Sequence, residues 1–310
     1  MNLTSISVFV QIVEQGSLAA AARELNLSTT TVSERLASLE AHYGARLLNR
    51  TTRSLSLTKE GELLFDGARR MLSDARQLED SIRHGVASIS GPIRMSMPSD
   101  LGVRYVLPVV DRFLKKYPEV EIDIIVSDEN SDFTQLGLDF AIRDQARTDA
   151  SLTISHLIDN QRVVIGSPDY LARMGRPEHP LDLVQHECLI LRVGLYTNRF
   201  WRFIFDGEEQ GVSLNPARIT NDAGLVAEWC RAGHGLAVKS AINVADDLES
   251  GALIPVMTEF MPPPGAFQIV HGAGRNPPQR VSLLIETIRT ELSQTLTDVK
   301  ARLGPKGPWD

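Results

Sequence analysis

Five hydroxyl side chains at the start of one short helix are the first candidates for chemistry in this chain. They lie in Ser28-Thr29-Thr30-Thr31-Val32-Ser33-Glu34-Arg35. Ser28 suits the N-cap, and Leu27 with Val32 fits a hydrophobic staple that fixes the entry angle of the helix. Val32, Leu36 and Leu39 recur at helical spacing and should face a core. Thr29, Thr30, Ser33, Glu34 and Ala37 are left on the open face near the helix start. Small polar groups there let a helix come close to base edges and exchange hydrogen bonds with them. A strong helix former, residues 19–25, precedes it. Arg46 to Lys59 follows with Arg46, Arg50, Arg53 and Lys59 and no acidic residue. Leu55 and Leu57 alternate with polar residues there, as in a half-buried strand. A basic strand-loop beside such a helix suits phosphate or minor-groove contact. Helix, turn, helix and basic wing in series imply binding to double-stranded DNA.

The elements that position these residues come next. The periodicity predicts a long helix over Lys59 to Val86, with Leu64, Ala68, Met71, Ala75, Leu78 and Ile82 at heptad spacing. That seam favours pairing with a second copy, although three heptads can also pack on the chain's own core. Residues 88–92, Ser-Ile-Ser-Gly-Pro, break it. Strands then alternate with helices. Ile93–Met97 reads as a strand, 98–102 as a turn, and Arg104–Tyr117 as a helix. Val120–Val126 and Phe140–Arg143 read as further strands, so a mostly parallel sheet is expected. A second set starts near Asn160, with strands at 163–166, 189–191 and 235–239 and Asp222 as an N-cap. A strand at Phe267–Val270 and a final helix from Val281 to about Leu303 close the chain. Two α/β lobes with crossovers, one of them Pro262-Pro263-Pro264-Gly265, suggest a cleft for a small molecule.

Composition narrows the function classes. The 310 residues, 43% hydrophobic and 23% charged, are enough for two or three compact units. No apolar run could span a bilayer and Met1 to Ser5 lacks a signal-peptide start, so a cytoplasmic protein with no membrane contact is expected. The net charge of −7 is unevenly placed. Residues 20–59 hold six basic and three acidic side chains, whereas all of the excess negative charge lies beyond residue 90. Positive charge is thus concentrated at the DNA motif. Cys188 and Cys230 lack metal-like spacing and read as buried thiols. There is no Gly-x-Ser-x-Gly, Gly-x-Gly-x-x-Gly or phosphate loop, and His156, His186, His234 and His271 are scattered. An enzyme is therefore disfavoured, and no cofactor or metal is expected. A transporter's solute-binding protein is disfavoured by the DNA motif.

The segment Phe9 to Gly61 resembles the N-terminal domain of LysR-type transcriptional regulators. The match runs through Ala20-Ala21-Ala22, Ser28 to Ser33, Leu39-Glu40, residues 47–53 (Leu-Leu-Asn-Arg-Thr-Thr-Arg) and residues 57–61 (Leu-Thr-Lys-Glu-Gly). Glu34 stands where the family often has a basic residue. The likeness continues through Leu107-Pro108, residues 117–120, 140–143, 167–171, 186–189, Trp201-Arg202-Phe203, Asn221-Asp222 and residues 233–237. It implies an α/β chain with an N-terminal winged helix-turn-helix and a C-terminal two-lobed effector domain like periplasmic binding proteins. The implied domains are 1–58 for DNA binding, 59–90 as a dimerising linker helix, and 91–303 for the effector, with a loose tail at 304–310. Lobe I is placed at about 91–159 and 267–303, and lobe II at about 160–266. DNA contacts are expected at Ser28, Thr29, Thr30, Thr31, Ser33, Glu34, Arg35, Arg50, Thr51 and Arg53. A small carboxylate-type effector is expected between the lobes. Its site would be the turn Ser99-Asp100-Leu101 at a helix N-terminus, facing Ser127, Asp128, Arg192, Tyr196, Asn221, Asp222 and Lys239. Arg192 and Lys239 would hold an anion, while Asp100 opposes one and leaves a zwitterionic, cationic or neutral ligand open. The implied partners are operator DNA, the effector, further copies of the chain as a dimer or tetramer, and RNA polymerase.

Overall fold

The computed structural model describes residues 3–50, 55–84, 89–128, 136–144, 150–194, 197, 199–205, 207–273 and 277–304. The chain forms two compact units, Met1–Pro92 with Thr134–Gly137, and Ile93–Phe133 with Leu138–Asp310.

In the first unit, three helices, α1 (Leu3–Gln15), α2 (Leu18–Glu24) and α3 (Thr29–Tyr43), enclose Ile6, Phe9, Ile12, Ala21, Val32, Leu36 and Leu39. Ser17 caps α2 by accepting from the Ala20 N–H, and Ser28 caps α3 by accepting from the Thr31 N–H at 3.0 Å. Leu27 packs on the same core beside fully buried Val32, as a staple requires. Gly44 ends α3 at φ 62°, a left-handed turn that favours glycine. The wing is an antiparallel pair, β1 (Leu48–Arg50) and β2 (Leu55–Leu57), with Leu48 opposite Leu57. Glu40 fixes its base, accepting from the Leu47 N–H at 2.9 Å. Helix α4 (Lys59–His84) follows. Gly61 on α4 passes so close to the wing that an added Cβ would lie 2.0 Å from the Leu47 carbonyl oxygen. Of the expected dimer seam, Ala68 is buried and Leu64 packs on the unit's own core, whereas Met71 is exposed. The side chains of Leu78 and Ile82 lie outside the description.

The second unit carries two lobes. Lobe I is a five-stranded sheet in the order β4 (Val120–Val126), β3 (Gly91–Met97), β5 (Phe140–Asp144), β14 (Gly265–Gly272), β6 (Leu152–Asn160). The chain leaves this sheet at Asn160 and rejoins it at Gly265. Strands β3 and β5 are parallel, but β14 is antiparallel to both β5 and β6. The mostly parallel sheet expected from the sequence is therefore mixed, because the returning strand inserts between β5 and β6. The expected turn at 98–102 is also corrected. A helical run starts there, as α5 (Ser99–Leu101), one π-helical stretch (Gly102–Val106) and α6 (Leu107–Lys116). Gly102 is there for close approach, since a Cβ would lie 2.5 Å from Met97 Cγ.

Lobe II contains β7 (Arg162–Gly166), α7 (Pro168–Met174), β8 (Glu187–Leu191), β9 (Phe200–Phe205), β10 (Glu208–Ser213), β11 (Asn215–Thr220), α8 (Ala223–Arg231), β12 (Ala237–Ser240), α9 (Ala245–Ser250) and β13 (Ile254–Val256). Its sheets are β12-β7-β13, the parallel pair β11-β8 and the hairpin β10-β9. Val163, Ile165, Leu189, Val226 and Leu253 form one core of this lobe, and Tyr170, Phe203, Leu214 and Leu236 belong to another. Helix α10 (Gln279–Leu303) packs back with Val281, Leu284, Ile288 and Leu292 buried. Among the described residues no single helix is long and apolar enough to cross a membrane.

Candidate functional sites

At the start of α3 the hydroxyls divide into two groups. Ser28 is occupied by capping, and its Oγ also lies 2.8 Å from Thr31 Oγ1. Thr29, Thr30, Glu34 and Ala37 are exposed, with Ser33 and Arg35 half-buried beside them. The first four N–H groups of a helix have no intrahelical partner, and although Ser28 takes the Thr31 N–H, this end still favours a phosphate. The Arg50 backbone lies in β1. Thr51 and Arg53 lie outside the described residues.

The second site is built at one end of the lobe I sheet. Strands β3 and β4 and the arginine near the end of β5 bring Ser99, Asp128 and Arg143 to one region. Opposite them, α8 and β12 of lobe II supply Asp222, Ala223 and Lys239. The lobes are joined there by the chain's own carboxylates. Asp128 accepts from the Ser99 hydroxyl at 2.7 Å, from the Ser99 N–H at 3.3 Å and from the Ala223 N–H of lobe II at 3.1 Å. Asp222 caps α8 through the Gly224 and Leu225 N–H groups and also accepts from the Ser99 hydroxyl at 3.1 Å. One aspartate thus serves the first N–H groups of both helical runs, where the sequence suggested an effector carboxylate.

Lys239 corrects the sequence reading most clearly. Its side chain is only 5% exposed, and the ammonium donates to Asp100 Oδ2 at 2.5 Å and to the Ala223 carbonyl at 2.8 Å. It is not a free anion receptor, and Asp100 is not an unopposed negative charge. Burial alone would raise the Asp100 carboxyl. Burial is the largest single influence, but the Lys239 charge and the hydrogen bonds from Lys239, the Leu101 N–H and Asn243 together outweigh it and hold the group below the usual aspartate range. Among the described residues no cation forms an ion pair with Asp128. Burial pushes its carboxyl up, and the Asp100 charge adds to that, against hydrogen bonds from Ser99 and Ala223.

Arg192 and Asn221 are exposed, with the Arg192 N–H donating to the Thr220 carbonyl. Ser127 is half-buried, and Tyr196 lies outside the described residues. Sequence reasoning missed Arg143. Its guanidinium is buried and donates to Ser96 Oγ at 2.9 Å and to the Ile142 carbonyl at 2.8 Å. Among the described residues no carboxylate forms an ion pair with it. Burial lowers its pKa to about 10, opposed by the charge of Asp128. The signal was visible in the sequence as an arginine closing the apolar run Phe140-Ala141-Ile142. A buried cation at the end of a strand, with no counter-charge in contact, is what an anionic ligand needs.

Comparison with known proteins decides the class. Residues 3–62 match the family of bacterial regulatory helix-turn-helix proteins of the lysR family, and residues 87–293 match the LysR substrate binding domain. The chain belongs to the LysR family. This LysR-type regulator is 32% identical to the HTH-type transcriptional regulator PtxR of Pseudomonas aeruginosa over 294 residues, 95% of this chain and 94% of the relative. An HTH-type transcriptional regulator of Xanthomonas campestris pv. campestris is 30% identical over 295 residues, 94% of this chain and 86% of the relative. The full-length structure of the Vibrio cholerae virulence activator AphB matches with a TM-score of 0.59 at 26% identity, covering 93% of this chain and 98% of that one. CrgA of Neisseria meningitidis matches at 0.57 and 26%, covering 96% and 99%. The LysR-type regulator is accordingly a DNA-binding transcription regulator with an effector-binding domain. Its relatives are regulators, not enzymes.

Proposed function

We propose that this regulator senses a small metabolite bearing one carboxylate, held between the lobes by Arg143 and touching Ser99, Ser127, Asp128, Arg192, Tyr196, Asn221 or Asp222. The observation that carries this reading is the buried Arg143 guanidinium, which has no carboxylate ion-pair partner among the described residues. The ligand binds one arrangement of the lobes better than another and so alters DNA binding, without being turned over. Coupling of this kind is about 1–3 kcal/mol, enough for a several-fold to hundred-fold change at an operator. The protein works in the cytoplasm as a dimer or tetramer that sets two recognition helices on two half-sites. Residues 1–58 bind DNA, residues 59–90 link the copies, and RNA polymerase is the downstream partner. Calorimetry of the full-length protein against a panel of monocarboxylate metabolites tests the effector reading. A ligand should bind the native protein and lose at least tenfold in affinity in Arg143→Met. Equal affinity in both would overturn the role of Arg143.

A further inference from the structure

The LysR-type regulator carries an anion subsite that it fills itself. Lys239 brings a buried ammonium from lobe II, and Asn243 brings its amide to the same carboxylate. Into that subsite lobe I inserts Asp100, with Oδ2 on Lys239 and Oδ1 accepting from the Leu101 N–H at 2.7 Å. Removing either charge would strand the other in a poorly hydrated place. The same stabilisation would be available from two well-packed apolar side chains, so the ion pair is not needed for cohesion. What it adds is a lobe contact that water can replace when the lobes separate. A second observation lies beside it. The Asn243 side-chain oxygen is buried and has no hydrogen-bond partner among the described residues. It is an acceptor with spare capacity at a junction whose cation is already taken.

We propose that Asp100 is a built-in occupant of the Lys239 anion subsite, and that it restricts this end of the cleft to hydrogen-bond donors such as a hydroxyl or amine. A second carboxylate is excluded, because Asp100 holds the ammonium that would receive it. The part concerning ligand choice rests on the reading of the cleft as the effector site. The part concerning occupancy does not.

The test is chemical rescue of the full-length protein with formate, followed by thermal melting. Asp100→Ala opens space for one carboxylate and leaves Lys239 buried and unpaired. Its effector-domain midpoint should fall by roughly 6–12 °C. Formate at tens of millimolar should restore several degrees more than chloride at equal ionic strength. The native protein and Asp100→Ala/Lys239→Met both keep Arg143 and set the formate response of that arginine, which the Asp100→Ala response should exceed by several degrees. A folded Asp100→Ala protein whose formate response is no larger than the native one overturns the proposal, as does a double variant that responds as strongly as Asp100→Ala. If Asp100→Ala does not fold, Asp100→Ser carries the same comparison, since its hydroxyl also leaves the anion space open. Formate reads Lys239, whereas calorimetry of Arg143→Met reads the effector, so either can fail while the other stands.

Discussion

Replacing Lys239 by Met tests the lobe junction from the other side and gives a pH signature. Methionine keeps most of the side-chain volume and removes the ammonium. Asp100, with a side chain 15% exposed, then remains in place without its cation. Breaking a buried pair by removing one partner costs about 3–5 kcal/mol. Asp100 keeps some access to water, so the lower figure applies, about 3 kcal/mol. For a unit of this size that corresponds to roughly 6–12 °C in the melting midpoint of the effector domain. In the native protein Asp100 lies below its ordinary value of 3.8. Its contribution is therefore present above that value and is lost as pH falls through the lower, folded one. In Lys239→Met the largest remaining influence is burial, which raises the carboxyl. The sign then reverses, and stability is lost as pH rises through the raised value. The gap between native and variant midpoints should be widest near pH 7 and narrow towards pH 4. Adding Asp100→Asn to Lys239→Met should recover most of the loss at pH 7. Melts from pH 4 to 8 followed by circular dichroism measure this. A loss that does not vary with pH, or a variant as stable as the native protein at pH 7, would refute the reasoning.

Further outcomes are expected from the packing at Gly61, from the buried thiols and from the residue types of the DNA-binding motif. Gly61→Ala places a methyl group 2.0 Å from the Leu47 carbonyl oxygen, so the DNA-binding unit should lose about 1–3 kcal/mol and melt earlier, while the effector domain is unaffected. Burial pushes the thiols of Cys188 and Cys230 up to about 12, so both should resist thiol reagents at pH 8 until the protein is unfolded; rapid labelling of native protein would contradict their burial. Thr30→Ala should change the ranking of operator variants by about 1–3 kcal/mol at one base pair, whereas Arg53→Ala should weaken all duplexes alike and make the salt slope shallower by about one, both read by fluorescence anisotropy across salt concentrations.

Local signals in the sequence were the legible ones. Ser28, Leu27, Val32 and Gly44 are a cap, a staple and a stop within one helix, and each acts on its nearest neighbours in the chain. The wing was legible for the same reason. Gly102 misled because a glycine after Ser-Asp-Leu is as good a turn signal as a packing signal, and only the position of Met97 distinguishes them. The β9–β10 hairpin was missed although Asp206-Gly207 is a strong hairpin turn signal. The direction of β14 was not legible, because it depends on pairing with strands more than a hundred residues earlier. The same holds at the effector site. Asp100 and Lys239 are separated by 139 positions and read as two unrelated charges, one opposing an anion and the other holding it. They are one ion pair. Charge type is visible in a sequence, but which charges neutralise one another is fixed by the topology that brings α5 against β12.

The most direct test of the account joins the two sites in one experiment. Genomic fragments enriched by the purified full-length protein supply its own operator. Affinity for that operator is then measured by anisotropy while monocarboxylate metabolites are titrated, in native protein and in Arg143→Met. The account predicts that at least one of these metabolites shifts native operator affinity or footprint several-fold or more, and that Arg143→Met keeps ligand-free operator binding but loses the shift. An operator complex that no carboxylate alters, or an Arg143→Met protein that responds as the native one does, would contradict it.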